Sequence, residues 1–212
     1  MKFYIISPPK INKNFNHQNF DKITDIIKVN FFQFRPKYSS MLKRLKFVES
    51  YYNKISEICK KKKIKMIIND DFEIAERFRF DGIHLGQDDK SCHDAKMKFG
   101  EDFIVGVSCS DSQILYNKAI DQKADYVAFG PLFKTFSKIK KRTINIESLF
   151  VSFEKLRLPF TLIGGINHSN FMQLLKYKPL NIAIINSIWN YEKGPIESAS
   201  LFNNMLKESK ND

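Results

Sequence analysis

The stretch Met66–Asp89, MIINDDFEIAERFRFDGIHLGQDD, contains two short apolar runs separated by a charged, amphipathic segment. The runs, Met66–Ile68 and Gly82–Leu85, have the length and composition of buried strands. Between them the apolar residues recur at helical spacing and charged residues fill the gaps, which predicts a helix. We therefore expect a strand–helix–strand unit whose two strands are parallel neighbours.

Acidic residues follow both strands of this unit. Asp70 and Asp71 come just after the first strand, and Asp89 follows the second. Because the carboxyl ends of parallel strands form the edge where ligands bind in α/β folds, these carboxylates are predicted to face one opening. Asp70 and Asp89 are interpreted as Mg²⁺ ligands, since this ion prefers hard oxygen donors and usually bridges to a substrate phosphate. Asp71 is interpreted as the cap of the following helix.

The rest of the chain repeats the same alternation. Further strands are predicted at Lys2–Ile6, Val29–Phe34, Phe103–Val107, Tyr126–Phe129, Pro159–Ile163 and Ile182–Ile185. Further helices are predicted at Phe20–Ile27, Met41–Lys61, Ala95–Phe99, Ser112–Gln122, Ile146–Leu156, Asn170–Leu175 and Ile196–Lys207. This pattern predicts the α/β class and a (β/α)₈ TIM barrel in which residues 1–212 form a single domain. The alternative is an open, doubly wound sheet, which requires that some of these strands do not form.

The composition is that of a soluble globular protein. Hydrophobic residues make up 43% and charged residues 27% of the chain, and no run of about 18 apolar residues predicts a membrane span. Three cysteines without CxxC spacing predict free thiols in a reducing cytoplasm. The net charge of +12 is dispersed along the chain, and it is compatible with either nucleic acid or an anionic small substrate as the partner.

Basic residues follow the second predicted strand. Gln33, Arg35 and Lys37 alternate along the chain, which sends their side chains to one side of an extended segment. Arg and Lys together suit a phosphate or diphosphate, because Arg offers a bidentate fork and Lys a point charge. A solvated basic strand end is the alternative interpretation.

Small and hydroxyl residues follow the later strands. The candidate anion ligands are Ser108 after the fifth strand, Thr135, Ser137 and Lys138 after the sixth, Gly164 and Gly165 after the seventh, and Asn186 and Ser187 after the eighth. A phosphate site built from the loops after strands seven and eight is a recurring feature of barrels. A helix N-terminus near Asn167–Ser169 is expected to contribute to it. Cys109 and His84 are interpreted as packed core residues rather than as a nucleophile and a base.

Together these residues resemble one family. The motifs are Gln33-x-Arg35-x-Lys37, Asn69-Asp70, Gly82-Ile-His-Leu-Gly-Gln-x-Asp89, Gly106-Val-Ser108, Ala124-Asp-Tyr-Val, Gly130-Pro-x-Phe133-x-Thr135-x-Ser137-Lys138 and Ile163-Gly-Gly-Ile166. They resemble thiamine phosphate synthase and, more broadly, the superfamily shared with the thiazole tautomerase TenI. The resemblance implies a (β/α)₈ barrel that joins hydroxymethylpyrimidine diphosphate to a thiazole phosphate and releases pyrophosphate.

The resemblance also implies a role for each matching residue. Gln33, Arg35, Lys37 and Asn69 would hold the pyrimidine diphosphate, and Asp70 and Asp89 would bind Mg²⁺. Ser108 and Lys138 would contact the diphosphate and, with Arg35, take part in catalysis. The thiazole phosphate would be held by Thr135, Ser137, Gly165, Asn186 and Ser187.

The chain departs from the family pattern at several positions. Cys109-Ser110 stands where the family usually has Thr-His, and Asp71 stands where an Arg is common. Asn186 occupies the place of the Ser expected after the eighth strand, with Ser187 one place later. A TenI-like tautomerase, or a diverged relative that binds a phosphate of the same pathway without catalysis, is therefore the alternative function. A tautomerase that relies on the missing His is disfavoured, and the sequence lacks any recognised nucleic-acid-binding motif.

The loop Pro131–Arg142 contains no glycine and five basic residues: Lys134, Lys138, Lys140, Lys141 and Arg142. Because like charges repel until an anion neutralises them, we predict a mobile lid that becomes ordered over a bound diphosphate. Limited proteolysis should therefore cut this loop more slowly when pyrophosphate and Mg²⁺ are present. Equal cleavage rates in the two conditions would contradict this prediction.

Overall fold

The eight predicted strands all form, and in the computed structural model of the protein they pair in chain order into a closed parallel barrel. The structure describes residues 1–135, 142–152 and 156–209. The strands are β1 (Lys2–Ile6), β2 (Val29–Phe34), β3 (Lys65–Asn69), β4 (Gly82–Leu85), β5 (Ile104–Ser108), β6 (Tyr126–Phe129), β7 (Phe160–Ile163) and β8 (Asn181–Ile184). Closure by pairing of β8 with β1 confirms the barrel and excludes the open sheet.

Helices follow the strands around the outside of the barrel. They are α1 (His17–Ile26), α2 (Met41–Lys62), α3 (Phe72–Arg77), α4 (Cys92–Phe99), α5 (Gln113–Asp121), α6 (Ile146–Ser152), α7 (Asn186–Trp189) and α8 (Pro195–Glu208). The predicted helix Ile146–Leu156 is described as far as Ser152, and residues 153–155 lie outside the described ranges. Within those ranges, no helix combines the length and apolar character needed to cross a membrane.

The segment between β7 and β8 differs from the prediction. The helix predicted at Asn170–Leu175 forms as a 3₁₀ helix that begins two residues later and covers Met172–Tyr177. The Asn170 side chain accepts a hydrogen bond from the backbone N–H of Asn167 at 2.9 Å and donates one to the carbonyl of Gly165 at 3.1 Å. Such local side-chain bonds satisfy the backbone in a turn and compete with a regular helix.

Side chains alternate between the barrel interior and the layer under the helices, as strand geometry requires. Tyr4 and Ile6 of β1 pack inside the barrel, whereas Phe3 and Ile5 pack in the outer core. In β2, Phe31 points inward in the same way, so Gln33 lies on the inner face as well. This alternation carries polar residues at strand ends into the mouth of the barrel.

Phe15, in the loop between β1 and α1, locks that loop onto the outer core. Its ring is 1% exposed and lies with its centroid 4.6–6.5 Å from five other aromatic rings: Phe32, Phe34, Phe47, Tyr51 and Trp189. The Trp189 indole in turn donates to the carbonyl of Ile6, at the end of β1, at 2.8 Å. Aromatic packing therefore ties the first βα loop to the segment after β8, across the closing strand pair.

Phe15→Ala should destabilise the protein by about 3–5 kcal/mol, because it leaves a cavity among these rings. Ile11→Ala is the matched control, since Ile11 lies in the same loop but is 80% exposed, and it should change stability by less than about 0.5 kcal/mol. Guanidinium unfolding of both variants measures the difference. Similar unfolding midpoints for the two variants would show that the loop is not anchored by Phe15.

Candidate active site

A cavity of about 220 Å³ opens at the carboxyl ends of the strands. Eight of the predicted site residues line it: Gln33, Arg35, Asn69, Ser108, Thr135, Gly165, Asn186 and Ser187. They come from the ends of six strands or the loops that follow, so closure of the barrel brings them together from positions up to about 150 residues apart.

Arg35 places a buried positive charge in the wall of this cavity. The residue is 8% exposed, and its backbone N–H donates to the Ser7 hydroxyl at 2.8 Å, which continues the pairing of the β1 and β2 segments. Burial lowers the pKa of Arg35, and the negative charge of Asp70 opposes that shift. A guanidinium has no accessible neutral form near pH 7, so Arg35 remains a largely buried cation that favours an anionic ligand.

Four hydrogen bonds link the two sides of the barrel interior. Gln33 Nε2 donates to the Tyr4 hydroxyl at 2.7 Å, and the Tyr4 hydroxyl is 2.9 Å from that of Tyr126. The Tyr126 hydroxyl lies 3.0 Å from His84 Nδ1, and His84 Nε2 lies 2.9 Å from Ser108 Oγ. His84 is 7% exposed and bonded through both ring nitrogens, in agreement with its interpretation as a hydrogen-bonded core residue.

Tyr4 and Tyr126 are site residues that the sequence analysis missed. Each lies in an apolar strand, where a Tyr is as expected as a Phe. The available signal was the alternation of side chains, which places Tyr4 on the same face as Ile6 and, across the barrel, Tyr126 on the face of Ala128.

A second cavity, of about 480 Å³, lies beside the first and is lined by Lys37, Asp70 and Asp89 among others. Asn69 lines both cavities and so marks their boundary. The expectation that Lys37 continues the row of Gln33 and Arg35 is wrong, because Lys37 lines the second cavity whereas Gln33 and Arg35 line the first. The Lys37 backbone N–H instead donates to the carbonyl of Pro9 at 2.8 Å, and its side chain turns toward β3.

Asp70 and Asp89 meet side by side at the ends of β3 and β4, as predicted. Their carboxyl groups lie close enough to interact directly, Lys37 Nζ lies 2.7 Å from Asp70 Oδ2, and the Gly86 N–H donates to Asp89 Oδ2 at 2.6 Å. Burial raises the pKa of Asp70, but the Lys37 ammonium outweighs it and the pKa lies below its ordinary value. Partial burial and the charge of Asp70 raise the pKa of Asp89.

Two touching carboxylates repel each other, and a shared proton or a cation relieves that repulsion. Their donor set fits Mg²⁺, which proteins commonly hold through one or two carboxylates while waters and substrate phosphates complete the shell. In the part of the chain that the structure describes, no group of three or more His, Cys, Asp or Glu residues could hold a metal ion. The carboxylate pair is therefore a partial site that fits a metal shared with an anionic ligand.

Asp71 caps α3, as the sequence predicted. Its side chain accepts a hydrogen bond from the Ile74 N–H at 3.3 Å and a second, from Arg44 Nε, at 2.7 Å. Both acceptor oxygens are occupied by protein groups. Asp71 therefore stabilises the helix start and leaves Asp70 and Asp89 as the carboxylates directed at one another.

The far side of the first cavity is built from the loops after β7 and β8. Gly164 and Gly165 have φ values of +103° and +66°, a conformation that favours glycine. The Ser187 hydroxyl oxygen is buried in this wall and has no hydrogen-bond partner among the described residues, as is typical of a group that a ligand would satisfy. The predicted helix N-terminus near Asn167–Ser169 is wrong, since Asn167 Oδ1 closes a turn by accepting from the Ser169 N–H at 2.9 Å.

Three further sequence predictions concern the loops after β5 and β6. Ser137 and Lys138 lie outside the described residues, as do Lys140 and Lys141 of the predicted lid. Cys109 is fully buried, and burial raises the pKa of its thiol to about 12, which agrees with a packed, unreactive side chain. Ser110 lines the first cavity at a φ of +52°.

Comparison with known sequences places this chain beside one family. A family profile described as "Thiamine monophosphate synthase" matches residues 3–188. The thiamine-phosphate synthase of Pelagibacter ubique (strain HTCC1062) is 38% identical over 196 residues, which cover 92% of this chain and 92% of the relative. The thiamine-phosphate synthase of Rhodospirillum centenum (strain ATCC 51521 / SW) is 35% identical over 144 residues, 68% of this chain and 70% of the relative.

Solved structures show the same fold. A thiamine phosphate pyrophosphorylase from Pyrococcus furiosus superposes with a TM-score of 0.79 at 22% identity, covering 98% of this chain and 96% of that one. A 3-hexulose-6-phosphate synthase superposes with a TM-score of 0.64 at 13% identity, covering 96% and 99%. At such identities the likeness concerns the barrel alone.

Gly165→Ala should both destabilise the protein and weaken binding of inorganic phosphate. A Cβ at this position would overlap the Lys134 carbonyl oxygen and lie 2.8 Å from that of Phe133, in addition to the strain of its positive φ. Gly194→Ala is the matched control, because Gly194 has a φ of +89° but open space around the added methyl. We expect a loss of about 1–3 kcal/mol for the control and a larger loss for Gly165→Ala.

Chemical unfolding and calorimetric titration with phosphate measure both effects. Equal destabilisation of the two variants, together with unchanged phosphate binding, would contradict the close packing of Gly165 against the loop after β6.

Proposed function

The chain belongs to the thiamine monophosphate synthase family, and from that membership we propose that it joins hydroxymethylpyrimidine diphosphate to a thiazole phosphate. The products are thiamine phosphate and pyrophosphate. The observation that carries the proposal is the contact between Asp70 and Asp89 beside Lys37, next to a cavity that contains the buried Arg35. Two carboxylates and two cations at one opening suit a ligand that carries a diphosphate and a metal ion.

Arg35 and Lys37 would hold the diphosphate from two sides. Arg35 supplies a rigid, buried guanidinium in the first cavity, whereas Lys37 supplies a half-exposed ammonium in the second. The Lys37 ammonium is paired with Asp70 at 2.7 Å, and it would also donate to a phosphate oxygen of a bound diphosphate. Gln33 and Asn69 would orient the pyrimidine between the two charges.

Asp70 and Asp89 would hold Mg²⁺. When bound, the ion supplies positive charge to the departing diphosphate. The protein contributes the arrangement: the Gly86 N–H fixes Asp89, and the hydrogen bond from the Asp70 N–H to the His84 carbonyl, 3.0 Å long, fixes the backbone that carries Asp70. Both carboxylates are thereby held in place before the ligand arrives, which lowers the entropy cost of binding.

The remaining residues divide between the two substrates. Ser108 and, by family resemblance, Lys138 would contact the diphosphate and stabilise charge as it leaves. Gly165, Asn186 and Ser187, with Thr135 and Ser137, would hold the thiazole phosphate. Backbone N–H groups at glycines and a small set of hydroxyls suit a phosphate monoester, because they supply donors without adding bulk.

Such a site needs no protein nucleophile. If the pyrimidine diphosphate ionises first, the resulting carbocation is captured by the thiazole nitrogen, and the protein has only to neutralise the leaving group and align the rings. Cys109, a thiol near the cavity, is fully buried, and its raised pKa keeps it protonated. We also propose that the reaction takes place in the cytoplasm, where the free thiols Cys59, Cys92 and Cys109 stay reduced.

A thiazole tautomerase is the competing function. It moves a proton and expels no diphosphate, so it has no need of the carboxylate pair. Ser110 lines the cavity at the position where the His of that branch is expected, and a Ser hydroxyl does not ionise near pH 7, so it cannot replace an imidazole as acid or base. The pair of carboxylates, Asp70 and Asp89, and the absence of that His therefore favour the synthase.

Pyrophosphate release from the two synthase substrates separates these functions. Asp70→Asn, Asp89→Asn and Lys138→Ala should each lower the rate by roughly 100- to 1,000-fold, on the order of 3–4 kcal/mol, as expected for groups that stabilise charge in the transition state. EDTA should abolish turnover. Asp102→Asn is the matched control, because it removes an exposed carboxylate from the loop before β5, at the opposite end of the barrel, and should leave the rate unchanged.

Thiazole isomerisation is measured on the same preparations. A protein that isomerises thiazole at full rate in EDTA and releases no pyrophosphate would be a tautomerase, and the proposal would be wrong.

A further inference from the structure

The hydrogen-bonded row from Gln33 through Tyr4, Tyr126 and His84 to Ser108 has a direction. From that direction we infer that Tyr126 is a positioning residue. It holds His84 in the neutral tautomer with hydrogen on Nε2, and thereby makes Ser108 a hydrogen-bond donor toward the cavity. The inference rests on the proposed function only where it assigns the diphosphate as the acceptor of the Ser108 hydrogen.

Both phenols carry their hydrogens at neutral pH. Tyr4 and Tyr126 are each 1% exposed, and burial raises the pKa of both hydroxyls far above neutrality. Their rings lie 6.0 Å apart in an edge-on arrangement that keeps the hydroxyls in contact. Each hydroxyl therefore has one hydrogen to donate, and the positions of these hydrogens can be counted along the row.

The count starts at Gln33, which presents its amide nitrogen to Tyr4. Because the Tyr4 oxygen accepts from Gln33 Nε2, its own hydrogen is donated to Tyr126, the other hydroxyl within 2.9 Å. The Tyr126 oxygen then accepts, and its hydrogen is donated to His84 Nδ1 at 3.0 Å. A reversed row would leave the Tyr4 hydrogen without an acceptor in the row, deep inside the barrel, which is costly for a buried polar group.

The tautomer of His84 follows from this direction. Nδ1 accepts from Tyr126 and so carries no hydrogen, which leaves the hydrogen of a neutral imidazole on Nε2. Nε2 donates to Ser108 Oγ at 2.9 Å. A doubly protonated His84 is incompatible with the row. Gln33 and the imidazolium would then donate from both ends, and one of the two tyrosine hydroxyl hydrogens would have no acceptor in the row.

Ser108 is the end of the row that reaches the ligand. Its oxygen accepts from His84, so its hydroxyl hydrogen is available to point into the cavity that the residue lines. The Ser108 carbonyl accepts from Gln87 Nε2 at 2.5 Å, which holds the backbone at this position. A diphosphate oxygen needs hydrogen-bond donors. With the opposite tautomer of His84, the Ser108 hydroxyl would donate its hydrogen to His84 and present only a lone pair to the anion.

Long-range ¹H–¹⁵N NMR of the ¹⁵N-labelled full chain reads the tautomer directly. The chain has four histidines, His17, His84, His93 and His168, and the signals lost in His84→Gln identify the one of interest. We expect His84 to be neutral with hydrogen on Nε2. A wild-type spectrum with hydrogen on Nδ1, or on both nitrogens, would overturn the inference without any variant being needed.

Tyr126→Phe removes the donor to Nδ1, and it should shift His84 toward the tautomer with hydrogen on Nδ1. Pyrophosphate binding in the presence of Mg²⁺ should weaken about tenfold, since the anion loses one charge-assisted donor. Tyr116→Phe is the matched control, because Tyr116 is a buried tyrosine whose hydroxyl accepts from the Arg157 and Leu158 N–H groups on the outer side of the barrel. It should leave the His84 tautomer and pyrophosphate binding unchanged.

An unchanged His84 spectrum in folded Tyr126→Phe would overturn the inference, and Tyr4→Phe provides a second test if the first variant does not fold. The two claims fail separately. Hydrogen on Nε2 without any pyrophosphate binding would sustain the row and contradict the proposed function. Tight pyrophosphate binding with hydrogen on Nδ1 would sustain the function and contradict the row.

Discussion

Pairing of β8 with β1 closes the sheet, and the site depends on that closure. The pairing runs from Lys2 opposite Asn181 to Ile5 opposite Ile184, so the last strand begins level with the first. Closure turns a row of strand ends into a ring, and groups from β1, β2, β4, β5 and β6 then meet across its centre. The contact between Tyr4 and Tyr126, separated by 122 residues in sequence, exists only because the ring is closed.

The mouth of this ring contains buried and half-buried charged residues, and each of the two cations has a carboxylate close by. Arg35 is nearly buried, but Asp70 is close enough to oppose the shift of its pKa, and Lys37 is paired with Asp70 directly. Asp89 is the remaining charged residue, and its pKa is raised by partial burial and by the neighbouring charge of Asp70. A metal ion and a diphosphate together would complete this set of charges. The metal ion would neutralise the carboxylates of Asp70 and Asp89, and the diphosphate would neutralise Arg35 and Lys37.

The interior of the barrel solves a different problem. Polar groups inside an apolar core are costly unless they are hydrogen-bonded, and Gln33, Tyr4, Tyr126 and His84 satisfy one another in a single row. Gly106 makes the row possible, since a Cβ there would overlap the Tyr126 ring. A structural requirement of the core thus becomes a means of orienting Ser108 at the ligand.

Local sequence patterns determined the elements and their order. Apolar runs of three to six residues predicted all eight strands, with bounds within one residue of those observed, because short buried strands leave a strong local pattern. Asp71 was identifiable as a cap from its place before an amphipathic run, and Asp70 and Asp89 as neighbours from their places after adjacent parallel strands. Each of these inferences needed only local periodicity and the direction of the sheet.

Only the tertiary structure decided which side chains share a cavity. Lys37 lines a different cavity from Gln33 and Arg35. The helix expected from Asn170 begins only at Met172, as a 3₁₀ helix, because Asn167 and Asn170 bond to nearby backbone in the turn before it. Tyr4 and Tyr126 looked like any core aromatics until closure placed their hydroxyls 2.9 Å apart. The sequence determined the strands, helices and charged strand ends because these follow from interactions between near neighbours in the chain, whereas the polar row and the division of the mouth into two cavities follow from contacts between distant segments.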